Sequence, residues 1–117
     1  MDKYKEIYQN YPAYKCLSER TKELFDLLFK PLYLDETVTY TNQFLADTTN
    51  EGLSSIEKHM KELRDNKLIS CKTSKYFHFG SWKTTRIISF NPFFITSLEF
   101  DLKEKMKKNK EVNECLF

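Results

Sequence analysis

Glycine is almost missing from this chain: Gly52 and Gly80 are the only two in 117 residues. A loop that cradles phosphate with backbone amides needs several glycines for close approach, so nucleotide-binding loops of that type are excluded. Histidine is equally scarce. His59 and His78 form neither a His-x-His nor a His-x-x-x-His pair, so no metal is expected, which also argues against metal-dependent DNA nicking. His59, one residue before an apolar Met60, reads as a helix flank rather than a base. Three cysteines, Cys16, Cys71 and Cys115, are odd in number and far apart, giving neither a disulfide framework nor a zinc-type pair. They read as reduced thiols, with Cys71 buried and inert on a strand. The chain has no apolar run of about eighteen residues, and "MDKYKEIYQNYPAYK" lacks the apolar middle of a secretion signal. A cytoplasmic protein with no membrane partner is expected. With no convergent catalytic groups in view, neither an enzyme nor a cofactor nor a small-molecule ligand is expected.

The most informative absence is acid. From Asn66 to Leu98 there is no Asp or Glu, while Lys67, Lys72, Lys75, Lys83 and Arg86 give that stretch +5. The whole chain carries only +2, so the remainder sums to −3. Such asymmetry is the footprint of a surface that attracts a polyanion. Within it, "CKTSKYFHFGSWKTTR" interleaves cations with aromatics.

What is present divides into elements. Tyr4, Ile7, Tyr8 and Tyr11 recur at helical spacing before Pro12, so residues 1–17 are expected to form an N-terminal arm or short helix. Ser18 is expected to cap a first core helix through its hydroxyl, with Leu24, Leu27 and Leu28 on one side beside Phe25 and with Pro31 as its end. "LYLDETVTYT" suits a short strand or extended connector. A second helix should start at the Thr41 cap and end near Thr49. A third, over about 53–66, carries Leu53, Ile56, Met60 and Leu63 as one stripe, opposite Ser54, Glu57, Lys58, Lys61 and Arg64. "KLISCKTSKYFHFGSWKTTRIISF" reads as a two-stranded hairpin turning at Gly80–Ser81 or at Thr73–Lys75. Tyr76, Phe77, Phe79 and Trp82 can stack unpaired bases, but strand alternation puts Phe77 and Phe79 on one face, and they are expected over the core, with Trp82 near the turn. Asn91 and Pro92 end the second strand. A final helix, with Ile95, Leu98, Leu102 and Met106 as its stripe, either packs back on the N-terminal segment or pairs with a second copy.

The stretch "YTNQFLADTTNEGLSSIEKHMKELRDNKLI", Tyr40 to Ile69, resembles the helix-turn-helix core of small winged-helix DNA-binding proteins from bacterial plasmids, phages and regulators. Thr41 stands at the cap, Leu45 and Ala46 at the anchor of helix two, Ile56, Met60 and Leu63 at the buried positions of the recognition helix, and Leu68 and Ile69 at the opening of the wing. Two positions depart from the pattern. Asn50 replaces the usual turn Gly and tolerates the left-handed conformation, and Gly52 replaces the usual Ser cap. The resemblance implies an α+β winged helix-turn-helix over residues 18–91, a three-helix core plus a two-stranded β-hairpin wing, followed by an additional C-terminal helix over residues 92–117 as a dimerisation element.

That resemblance implies double-stranded DNA as the partner. The expected contacts are Ser54, Ser55, Lys58 and Lys61 on the recognition helix, Thr41, Asn42 and Gln43 at the N-terminus of helix two, and Lys72, Lys75, Trp82, Lys83 and Arg86 on the wing. Recognition helices of this kind often begin with Arg or Lys, whereas this one offers Leu53, Ser54, Ser55 and Glu57, so the wing is expected to supply much of the contact. A homodimer reading paired half-sites is expected, with replication or relaxosome proteins as further partners. The expected role is to mark a replication or conjugative-transfer origin or an operator. The alternatives are a regulator of a chromosomal operon and a winged-helix protein-interaction module without specific DNA binding.

Overall fold

A computed structural model describes the backbone of residues 2–115 and the side chains of residues 3–106. Among the described residues the chain is α+β, with six helices and one three-stranded antiparallel sheet. No helix among them is long and apolar enough to cross a membrane.

The N-terminal residues belong to the core. Helices α1 (Asp2–Tyr8) and α2 (Pro12–Lys15) bring Tyr8 and Tyr14 against Phe25 and Phe29 of α3 (Glu19–Asp35) and Phe94 of α6 (Pro92–Cys115). The rings meet edge-on or tilted, with Tyr8 centred 5.2 Å from Phe25 and 4.8 Å from Phe29, the geometry that aromatic quadrupoles favour. Asp26 accepts from the Tyr8 hydroxyl at 2.6 Å and from Tyr14 at 3.1 Å, so both buried phenols are satisfied. Burial first, then the bond to Asp26, pushes the Tyr8 hydroxyl far above the ordinary phenol range.

Helix α3 differs from expectation at both ends. Ser18 occupies the N-cap, but its hydroxyl pairs with Thr21 Oγ1 at 2.8 Å instead of capping the first amides. Pro31 does not end the helix, which runs on to Asp35. Proline removes one i→i−4 bond, here to the carbonyl of Leu27, and Leu27 is an exposed residue rather than part of the buried stripe. The extra turn buries Leu32 and stacks Tyr33 on Phe29, which compensates for the missing bond.

A short strand β1 (Thr37–Val38) leads to α4 (Asn42–Thr49), where Thr41 Oγ1 accepts from the Phe44 amide at 3.1 Å as the cap. Asn50 then takes φ 56, the left-handed turn that Asn tolerates, and Gly52 precedes α5 (Leu53–Asp65). Ile56, Met60 and Leu63 are buried as the stripe predicts, while Leu53, at the first helical position, is exposed. Lys67 in the left-handed region ends α5, with the Leu68 amide donating back to Leu63. The chain then enters β2 (Ile69–His78) and β3 (Ser81–Phe90).

The sheet order is β1-β3-β2, with Val38 opposite Ile88 and a full ladder from Ile69↔Phe90 to His78↔Ser81. Helix α6 lays Phe94 and Leu98 into the core and lies along α1, with Asp101 accepting from Tyr11 and Lys105 meeting Glu6 at 3.1 Å. Of the two arrangements open to this helix, packing onto the N-terminal segment is therefore present within one chain. Met106, the last of the expected stripe, is exposed. Cys115 and the lysines from Lys107 onward lie outside the described side chains.

Candidate nucleic-acid interface

The β2–β3 ladder is longer than the body can cover. Alternation puts Ile69, Cys71, Thr73, Lys75 and Phe77 on one face, opposite Phe90, Ile88, Arg86, Thr84 and Trp82. At its base this face is core: Ile69, Ile88 and Phe90 are buried and Cys71 is half-buried. Burial pushes the Cys71 thiol up, with Arg86 and Arg64 pulling the other way. Past the Thr73↔Arg86 pair both faces are largely exposed, and five more strand steps, about 17 Å, carry the hairpin away from the body.

Arg86 marks that exit point. Its guanidinium donates to Asn42 Oδ1 at 2.6 Å and to the Tyr40 carbonyl at 2.7 Å. It thus ties β3 to the approach and first turn of α4. Burial, offset by Cys71 and reinforced by Arg64, holds the guanidinium below its ordinary value. Its Nε is buried without a partner. A contact from Arg86 to DNA would have to compete with these two bonds, which hold β3 against the approach to α4. Asn42 is half-buried as the other half of this latch, and Thr41 is occupied as the cap. Gln43 is exposed and donates to Asp47 at 2.9 Å.

The other expected contacts lie at the surface. Lys72, Lys75 and Lys83 are exposed along the hairpin, and Ser54, Lys58 and Lys61 are exposed on α5, with Ser55 half-buried. Arg64, also exposed, lies close enough to Cys71 and Arg86 to influence both, so the outer side of α5 and the base of the hairpin adjoin. Glu57 is exposed on the same helix.

The expectation that Phe77 and Phe79 cover the core is overturned. Phe77 is 61% exposed, Phe79 89% and Trp82 72%. The physical reason is reach: Phe77 sits beyond Lys75 and Thr84, where the ladder has left the body, and Phe79 is not in a strand at all. The turn is the two-residue loop Phe79–Gly80, one residue earlier than Gly80–Ser81, with φ 48 and 76 at the two positions. Polar residues on both faces at 72–75 and 83–86 were the available signal that the core had already ended.

His59 was read as a helix flank and is instead part of a brace. Its Nδ1 lies 2.9 Å from Thr21 Oγ1 and its Nε2 2.9 Å from Glu51 Oε2, while Glu62 accepts from Thr21 and from the Ser18 amide, each at 2.8 Å. Burial alone would raise the Glu62 carboxyl. The bonds from Ser18 and Thr21, with His59 beside them, instead hold it below its ordinary value. Thr21 is fully buried, and through it this carboxylate and imidazole tie α5 to α3.

No protein-family model, curated protein or solved structure matches this chain.

Proposed function

We propose that this chain is a winged-helix protein that binds double-stranded DNA at a specific site, presenting the outer side of α5 and the β2–β3 hairpin to the duplex. The observation that carries this is the hairpin itself: it projects from the body with Lys72, Lys75 and Lys83 exposed and has no carboxylate to oppose them. Phosphate neutralisation by such a wing releases counterions, so affinity falls steeply with salt. Support also comes from the path α4, left-handed Asn50, α5, hairpin, which follows the helix-turn-helix order. Lys58, Lys61 and Arg64 on α5 add cations beside the hairpin's base, and Ser54 is free to pair with base edges or phosphates. Arg86 and Asn42 set the angle at which the wing leaves the body. The resemblance to small plasmid and phage winged-helix proteins points to the marking of an origin or operator on a mobile element as the setting.

The test is selection of genomic fragments by the purified protein at two salt concentrations, with sequencing of what is retained. An enriched motif beside a promoter or a replication or transfer origin is expected. Lys75→Ala with Lys83→Ala should lower the slope of log affinity against log salt by about two phosphate equivalents. An unenriched pool, with binding lost at physiological salt, would refute the proposal and favour a protein-interaction module.

A further inference from the structure

Four exposed aromatic side chains, Tyr76, Phe77, Phe79 and Trp82, at the end of a lysine-bearing hairpin are not explained by duplex binding alone. We infer that the tip takes unpaired bases in DNA, at a junction or a locally melted segment, with Phe77, Phe79 and Trp82 stacking on them while Lys75 and Lys83 hold the adjoining phosphates. This rests on the DNA-binding proposal above and specifies the form of DNA that the tip recognises.

Phe79 makes the case from the backbone. A two-residue hairpin loop with positive φ at both positions is satisfied best by Asn-Gly or Asp-Gly, because a bulky side chain is disfavoured in the left-handed region. This chain has Phe-Gly there, with φ 48 at Phe79 and its ring 89% exposed. Folding gains nothing from that ring, since its nearest aromatic neighbour is the exposed His78 beside it, 4.0 Å between centroids. A local preference overridden in this way, with no compensating burial, is the mark of a residue kept for what it contacts.

Phe77 and Trp82 form a cross-strand pair on one face, centroids 5.5 Å apart and 67° between planes. Edge-on packing leaves a ring face on each open, and an aromatic face stacks on any base. Lys75 lies two positions before Phe77 on the same face, about 7 Å along the strand. Lys83 follows Trp82 and sits opposite Tyr76 on the other face. Cations therefore flank the rings on both sides, and no acid occurs between Asn66 and Leu98.

Charge and polarity select among occupants. An apolar protein groove would not call for flanking lysines, and Thr73, Ser74, Ser81, Thr84 and Thr85 make the hairpin too polar on both faces to lie in a hydrocarbon boundary. Hydroxyls and lysines between rings suit a strand whose bases are splayed and whose phosphates are close by.

Trp82 is the only tryptophan, so its emission reports on the tip of the intact protein. Three probes are compared: a fully paired duplex, the same duplex with a central mismatched bubble, and vesicles of phosphatidylserine and phosphatidylcholine. The bubbled duplex should bind about tenfold more tightly than the paired one and quench Trp82, as stacking on one or two bases requires. Phe79→Asn, which suits the turn and keeps the hairpin intact, should bring that ratio close to one while leaving paired-duplex affinity within about twofold. Lys75→Ala with Lys83→Ala should weaken both DNAs together and leave the ratio in place. Equal binding of the two DNAs with unquenched Trp82 would overturn the inference and leave the duplex proposal standing. Failure to bind either DNA would overturn both, and a blue-shifted emission on vesicles without quenching on DNA would assign the tip to a membrane surface instead.

Discussion

Arg86→Met is the substitution that most directly tests how the hairpin is held. Methionine keeps an apolar stem of similar reach but removes the donors to Asn42 and to the Tyr40 carbonyl. A hydrogen bond from a charged donor contributes about 1.5 kcal/mol at the low end of its range, suited to a half-exposed group, so two give about 3 kcal/mol. Removing the orphaned Nε returns about 1 kcal/mol, because a buried donor without a partner is itself a cost. The net loss is about 2 kcal/mol. With a urea dependence of about 1.5 kcal/mol per M, the unfolding midpoint should drop by about 1.3 M. Arg86→Lys should fare little better, since an ammonium cannot reproduce the fork. In a double-mutant cycle with Asn42→Ala, the two changes should couple by about 1 kcal/mol. Binding to paired DNA should weaken with an unchanged salt slope, because a positioning residue neutralises no phosphate. Additive losses in the cycle, or a slope smaller by about one phosphate equivalent, would refute the latch and return Arg86 to the DNA.

Three further outcomes are expected. Glu62 is held below its ordinary value in the folded state, so the stability it contributes is present above the ordinary carboxylate range and is lost as pH falls through the depressed folded value. Thermal melts of Glu62→Gln, taken from neutral pH down through that range, should show a flatter acid limb than the parent chain, and parallel curves would contradict this. Tyr8→Ala empties a position buried against Phe25, Phe29 and Phe94 and should cost about 4 kcal/mol by chemical denaturation, whereas a dispensable arm would lose almost nothing. Phe79→Asn should raise stability by about 1 kcal/mol in the same assay, because asparagine accepts the left-handed turn more readily than phenylalanine.

The helical half of the fold was legible because its signals are local. Thr41 caps, Asn50 turns, and Ile56, Met60 and Leu63 repeat at helical spacing. Each is decided within a few residues by capping chemistry, backbone sterics or periodicity. Pro31 misled because its helical cost was outweighed by the burial of Leu32 and the stacking of Tyr33, contacts made at a distance. The hairpin was legible as a hairpin, and its lysines are exposed, but alternation assigns faces without saying where the body stops, so Phe77 and Phe79 were placed over a core that ends at Arg86. The bonds that Arg86 makes within the chain could not be read from the sequence, since one of its two partners is the Tyr40 carbonyl, a backbone atom that every residue possesses. His59 was misread for a related reason: Thr21 and Glu51 reach it from other elements.

The pairing of α1 with α6 also bears on the order in which the molecule is made. Tyr11 finds Asp101, and Glu6 finds Lys105, across almost the whole length of the chain. Synthesis proceeds from the N-terminus, so Tyr8 and Tyr11 emerge well before Phe94 and Leu98 exist to close over them. Helices α3 to α5 can emerge and begin to pack while the chain is still attached to the ribosome, whereas the seam between α1 and α6 can form only after α6 has cleared the exit tunnel. That late closure gathers contacts of the highest sequence separation into one final step, the kind that slows folding and leaves apolar surface waiting in the meantime. A ribosome stalled within α6 should therefore hold an intermediate whose first helices have emerged and whose aromatic end is still open.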